Sequence, residues 1–381
     1  MHAMRRKSLI RCLLPLLWGS ILTVTEIGRN FRSLAKTKHS IKRVDRLLSN
    51  ESLHSETEAV YRAMAHYLCK GNSRPIILVD WSDLVDTKRT LVIRAAICLN
   101  GRAVTLYEKA YPLKKYNKPA THMRFLKTLK AVLPTGIRPV IVTDAGFRGP
   151  WFRQVESLGW HWVGRIRNGV KYKTFHSDEW DTVYSLYPKA TSKPKLVGWC
   201  ALSHKRPYEC YLYLYKKRAG KRRTHRTVHA FRRHAKESGF KKQQRDPWLI
   251  ATNISPNEFA ASDIIRIYGK RMQIEECFRD LKSHRSGFGF NFCLSRKIER
   301  INTLLLMAAL ASLCLWWIGF AAERKGWQYS FQANTVKSRK VLSTLFIAKE
   351  VVKRHDMNLR PDEIYQSFQM FPKLLKEMSQ C

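Results

Sequence analysis

The sequence predicts an α/β protein built on a mixed sheet, and three observations carry that prediction. Over residues 76–166, short apolar runs alternate with amphipathic helical stretches. Two of those runs lead straight into an aspartate. The chain has 381 residues, 45% of them hydrophobic, enough for a large buried core and more than one domain, which excludes a disordered chain.

The elements follow in order. Residues 75–80 read as an apolar strand ending in Asp80, and residues 90–99 as a second. Asn100-Gly101 is a type I′ hairpin signal, and residues 102–108 return as a third strand. Residues 121–133 form an amphipathic helix with Phe125, Leu126, Leu129, Val132 and Leu133 on one face. Residues 139–143 are a fourth strand, followed by Asp144. Residues 150–158 are a short helix with Pro150 in its first turn, and 160–166 a fifth strand. In a mixed sheet of this order, the first and fourth strands can run parallel as neighbours, so Asp80 and Asp144 can share one site. The ribonuclease H-like fold has this order of elements.

The core is flanked on both sides. Residues 1–75 read as a helical DNA-binding domain. In it, 25–29 and 40–48 suggest a helix-turn-helix pair whose second helix offers Lys42, Arg43 and Arg46 to DNA. Residues 76–166 are the first part of the core. Residues 167–253 read as a β-rich insertion, with a hairpin at 195–202 and 208–215 and a basic loop at 218–245 whose single acid is Glu237. Residues 254–325 complete the core, and 326–381 form a C-terminal helical region.

Charge narrows the function. Seventy Lys and Arg stand against 29 Asp and Glu, a formal net charge of +41 spread along the chain. Such an excess repels itself unless a polyanion partner neutralises it. The nine cysteines show no C-x-x-C pair and no zinc spacing, and fit buried thiols in a reducing cytoplasm. Residues 1–24 resemble a signal peptide, but Arg11 abuts the apolar stretch and no A-x-A-like site follows. Residues 304–322 are apolar enough to span a bilayer, yet read as a helix buried in a large domain, so no membrane partner is expected.

One stretch carries unusual chemistry. Ser255-Pro256-Asn257-Glu258 looks like a capping box, and a helix is expected over about 262–283. Tyr268, Arg271, Glu275, Arg279 and Lys282 then fall within roughly 80° of arc, while Glu276 points away. One acid among cations suits a site that holds a metal and a phosphate together. An exposed helix, with Glu275 paired to Arg271 and Arg279, explains the same pattern.

The spacing Tyr-x2-Arg-x3-Glu-x6-Lys resembles the YREK signature of a large group of bacterial insertion-sequence transposases. Here it is Tyr268, Arg271, Glu275 and Lys282, within YGKRMQIEECFRDLK. ILVDWSD around Asp80 and VIVTDAGF around Asp144 are similar to that group's first two acidic motifs. The likeness extends from EIGRN near the start to VLST near the end, and is greatest to the cut-and-paste, hairpin-forming subgroup. Members of that group begin somewhat upstream of Met1, so a shortened N-terminal DNA-reading region is expected.

The resemblance implies a DDE transposase with a ribonuclease H-like core. Asp80, Asp144 and Glu275 would be its catalytic carboxylates and would hold two Mg²⁺, with Mn²⁺ able to substitute. Tyr268, Arg271 and Lys282 would grip backbone phosphates. Trp81 is a candidate to stack on a flipped base, with ordinary sheet packing as the alternative, and Arg279 a candidate partner of Glu275. It also implies double-stranded DNA partners, namely terminal inverted repeats and target DNA, a dimer in a synaptic complex, and a bacterial cytoplasmic, nucleoid-associated setting. A structure-selective nuclease or resolvase on the same fold, or an inactive DNA-binding derivative, are the competing readings.

Overall fold

Helices open the chain, as its N-terminal patterning requires. In the computed structural model they are α1 (Ala3–Leu17), α2 (Val24–Arg29), α3 (Thr37–Leu48) and α4 (Glu51–Leu68). Thr23 caps α2, its hydroxyl accepting the Glu26 amide at 3.2 Å, and Asn50 caps α4, accepting from Leu53 at 2.8 Å. Helices α2 and α3 approach so closely at Gly28 that a Cβ there would lie 2.6 Å from the Ile41 Cα. The expected pair of short helices is therefore present, packed through a glycine. The structure describes residues 1–84, 89–99, 101–217, 246–285, 287–336 and 338–379.

The chain forms two compact units. The first is Met1–Pro139 with Met272–Gln380, and the second is Val140–Arg271. After α4 the first unit lays down β1 (Ile76–Asp83), β2 (Thr90–Leu99) and β3 (Arg102–Pro112), antiparallel in the order β3-β2-β1. Leu99 pairs with Arg102 across the expected two-residue turn, where Gly101 has φ +75. Asn100 lies outside the described residues. Helix α5 (Pro119–Val132) buries Phe125, Leu126, Leu129 and Val132.

The second unit contains β4 (Val140–Thr143), α6 (Gly149–Glu156), β5 (His161–Ile166), β6 (Lys171–Thr174), β7 (Asp181–Thr182), β8 (Lys195–Leu202), β9 (Tyr208–Tyr215), β10 (Trp248–Thr252) and α7 (Ala261–Gly269). Its sheet is mixed, in the order β4-β5-β10-β9-β8-β6-β7, with β4 and β5 parallel. The β8–β9 hairpin has the expected bounds. Strand β10 pairs with β5 on one side and β9 on the other, so the strands of 167–253 continue the sheet of β4 and β5. The basic loop at 218–245 lies outside the described residues.

The chain returns to the first unit through α8 (Met272–Lys282), α9 (Ile298–Arg324), α10 (Thr344–Lys353) and α11 (Pro361–Ser379). By length and composition α9 could cross a membrane, but 67% of its most apolar stretch is buried within the protein. It packs on α1, α10, α11 and β3.

Three local expectations fail. Strand β1 does not end at Asp80 but continues to Asp83, because Trp81, Ser82 and Asp83 keep pairing with Ile93, Val92 and Leu91. The helix expected over 262–283 is interrupted at Lys270 and Arg271, so α7 and α8 are separate helices. Ser255-Pro256-Asn257-Glu258 forms a turn, in which the Ser255 hydroxyl accepts the Asn257 amide at 3.2 Å. Helix α7 starts later, where the Asp263 carboxylate accepts the Ala260 amide at 3.2 Å.

Candidate active site

In the first unit, β1 buries Ile76 to Val79 and then presents Asp80 half-buried. Helix α8 buries Ile274, Phe278 and Leu281, positions i, i+4 and i+7. Glu275, Arg279 and Lys282 each follow one of these by one residue, so they share the neighbouring face. Burial of the apolar stripe therefore aims that face at the edge of β1. The result is a cleft of about 530 Å³. Asp80, Trp81 and Ser82 line it from β1, Glu275, Phe278, Arg279 and Lys282 from α8, and Ser283 and Asn291 from the segment beyond. Asp80 and Glu275, 195 residues apart in sequence (275 − 80), thus share one cleft with two cations.

Local contacts hold this arrangement. The Trp81 amide donates to Asp80 Oδ1 at 2.8 Å. The Gln273 side chain accepts the Leu99 amide at 3.0 Å, and Arg102 pairs with Glu276 and Asp280, each at 3.1 Å, anchoring α8 to the β2–β3 hairpin. Arg279 forms an ion pair with Glu276, its i, i+3 neighbour on α8, at 2.9 Å. Trp81 donates its indole N–H to His122 Nε2 at 3.1 Å and packs edge-on to Tyr116. Burial pushes the His122 imidazole down to about 4, so near neutral pH it is the uncharged acceptor this bond needs.

The second unit carries Asp144, Tyr268 and Arg271. Asp144 follows β4, and its Oδ1 accepts the Gly146 amide at 2.8 Å. The parallel register sets Thr143 beside Gly164, which brings Arg165 alongside Asp144. Tyr268 is buried edge-on to Trp248, and burial raises its hydroxyl above the usual phenol range while Arg271 and Arg165 oppose the rise. Arg165 donates to the Asp246 and Pro247 carbonyls at 3.2 and 3.3 Å, and Arg167 pairs with Asp246 at 3.6 Å. Sequence reading had passed over Arg165 and Arg167. Their signal was two arginines closing an apolar strand next to the strand that leads to Asp144.

On α3, Lys42 and Arg46 are exposed and Arg43 is half-buried, while Val44, Leu47 and Leu48 face inward. That helix therefore presents the cationic surface its spacing implied.

Among the described residues, no three His, Cys, Asp or Glu side chains are gathered as a ready-made metal site. The cleft offers two carboxylates. That donor set fits Mg²⁺, which is commonly held by one or two carboxylates with substrate phosphates completing its shell. The same cleft also holds the cations Arg279 and Lys282.

The sequence profile of the transposase DDE domain matches residues 72–314, more than half of the chain. The chain belongs to that family, and its role is that of a transposase. No curated protein matches it. Among solved structures it is similar to a piggyBac transposase in a synaptic complex with hairpin DNA, with 10% identity and a TM-score of 0.40, over 98% of this chain and 73% of that one.

Proposed function

We propose that this transposase belongs to the bacterial YREK group, has a ribonuclease H-like core, and cuts and rejoins DNA at the ends of a mobile element. The observation that carries the reading is the cleft, where Asp80 and Glu275 stand with Arg279 and Lys282. By resemblance, Asp144 supplies the third carboxylate. Two Mg²⁺ ions, when bound, would activate the attacking oxygen and stabilise the leaving one in an in-line displacement. The protein's own part is to place the phosphate. Lys282 and Arg279 offset its charge, and Arg271 and Tyr268 grip the neighbouring backbone.

Each step exchanges one P–O bond for another. Water attacks first and frees a 3′-OH. That hydroxyl attacks the opposite strand and closes a hairpin, a second water reopens it, and the 3′-OH then attacks target DNA. Hairpin closure distorts the duplex, and Trp81, held by His122 at the cleft wall, offers a face for an extruded base. Helix α3 reads the terminal repeat through Lys42, Arg43 and Arg46. Two ends cut together call for a synaptic dimer, working at the nucleoid in the cytoplasm.

The test is cleavage of a duplex carrying the element's own terminal repeat, with Mg²⁺ or Mn²⁺. Wild type is expected to give nicks and hairpins, and Glu275→Gln to bind the same duplex without cutting it. Binding without cutting by wild type would refute the proposal. Cutting of branched DNA regardless of end sequence would establish a resolvase instead.

A further inference from the structure

A charged row crosses the first sheet beneath the cleft. In the antiparallel register Asp80 of β1 stands opposite Arg94 of β2, and Arg94 stands opposite Glu108 of β3. Directly opposed residues share a face and have Cβ atoms about 4.5–5.5 Å apart. Asp80 is at the cleft, whereas Arg94 and Glu108 are each only 2% exposed.

The Arg94 guanidinium is used on every side. Its Nε and Nη2 donate to Glu108 Oε2 at 2.8 and 2.6 Å. Its Nη1 donates to the Cys277 carbonyl at 3.2 Å and reaches the Cys277 sulfur at 3.1 Å. Its carbon lies 4.7 Å from the centre of the Phe278 ring. Tyr61 donates to the other Glu108 oxygen at 3.5 Å. Cys277 and Phe278 belong to α8, two and three residues beyond Glu275.

Stability is weak grounds for keeping such a pair. Desolvating two charges costs several kcal/mol per ion, and well-packed apolar residues of the same volume often do as well or better. What the pair does achieve is positional. One side chain in the row of Asp80 grips the helix that carries Glu275.

We infer that Arg94 and Glu108 are positioning residues for the two cleft carboxylates. Arg94 sets the spacing of α8 from β1, and Glu108 holds the guanidinium away from Asp80. Without Glu108, the nearest acid across the strands from Arg94 is Asp80, and the cation would compete with a bound metal ion. This inference rests on the proposed metal-holding role of Asp80 and Glu275.

The test compares full-length wild type, Glu108→Gln, Arg94→Lys and the double variant Arg94→Met/Glu108→Leu. The readouts are thermal unfolding, affinity for end DNA, Mn²⁺ binding followed by the loss of free-ion paramagnetic signal, and the Mg²⁺ concentration for half-maximal cleavage. Removing the support of a metal ligand commonly costs about 10- to 100-fold in metal affinity or activity. Losses of that size are expected for Glu108→Gln and for the double variant, with end-DNA affinity unchanged. The double variant is also expected to unfold no earlier than wild type, which separates positioning from stability. Arg94→Lys should fall between, since an ammonium cannot form the same fork.

Wild-type Mn²⁺ binding and Mg²⁺ dependence in the folded double variant would overturn the inference while leaving the transposase reading intact. A wild type that neither binds Mn²⁺ nor cuts end DNA would overturn both.

Discussion

Acidification should weaken this protein through one histidine. His122 is 4% exposed and accepts the Trp81 indole N–H at 3.1 Å, a bond that only the neutral ring can make. Burial lowers it from 6.5 to about 4. Above about pH 6.5 the ring is neutral in both the folded and unfolded chain, so it contributes no pH dependence. Below that value the unfolded chain takes up the proton and the folded chain does not, until the pH passes below about 4. Stability is therefore lost as the pH falls through this window. At about 1.4 kcal/mol per pH unit the loss reaches about 3 kcal/mol, with roughly 2.5 kcal/mol already gone at about pH 4.5. The assay is urea unfolding of wild type and His122→Gln at neutral pH and at about pH 4.5. Glutamine keeps an acceptor for Trp81 but does not titrate, so the wild type should lose about 2.5 kcal/mol more than the variant on acidification. An equal loss in both proteins would refute the reasoning.

Three further outcomes are expected. Gly28→Ala gains about 1 kcal/mol of helix propensity. Its Cβ, however, meets the backbone of Ile41, and overpacking costs about 1–3 kcal/mol. The net should be a loss of about 1 kcal/mol in denaturant unfolding, together with weaker end-DNA binding, and a stabilised variant would contradict it. Trp81→Phe leaves the buried His122 nitrogen without its indole donor and should cost about 1–3 kcal/mol in thermal unfolding. Lys282→Gln should slow end cleavage and reduce the slope of log binding constant against log salt by about one, as loss of a single phosphate contact does, and an unchanged slope would argue against that contact.

Much of the fold is legible in the residue pattern because it depends on local periodicity. The apolar runs at Ile76–Val79 and Val140–Thr143, the Leu99–Arg102 pairing, the Pro150 helix start and the β8–β9 hairpin all lie where sequence patterning and turn chemistry put them. Asp80 and Asp144 stand out as acids directly after apolar runs, and Glu275 as the acid at the spacing set by Tyr268, Arg271 and Lys282. Arg94 and Glu108 were legible as charges inside the strand-like stretches LVIRAAICL and AVTLYE, but nothing along the chain says what a buried charge touches.

The amino-acid sequence by itself determined the cationic character, the α/β alternation, the candidate acids and the family. These depend on composition and on patterns within about 20 residues. Tertiary structure alone decided that Asp80 and Glu275 face one cleft, that the helix expected over 262–283 breaks at Lys270 and Arg271, that Arg279 pairs with Glu276, and that Asp80, Arg94 and Glu108 form one row. The physical reason is register. Which residues meet across strands, and which face of α8 meets the sheet, follows from how distant apolar surfaces pack, and a one-residue slip would turn every side chain of a strand to the opposite face.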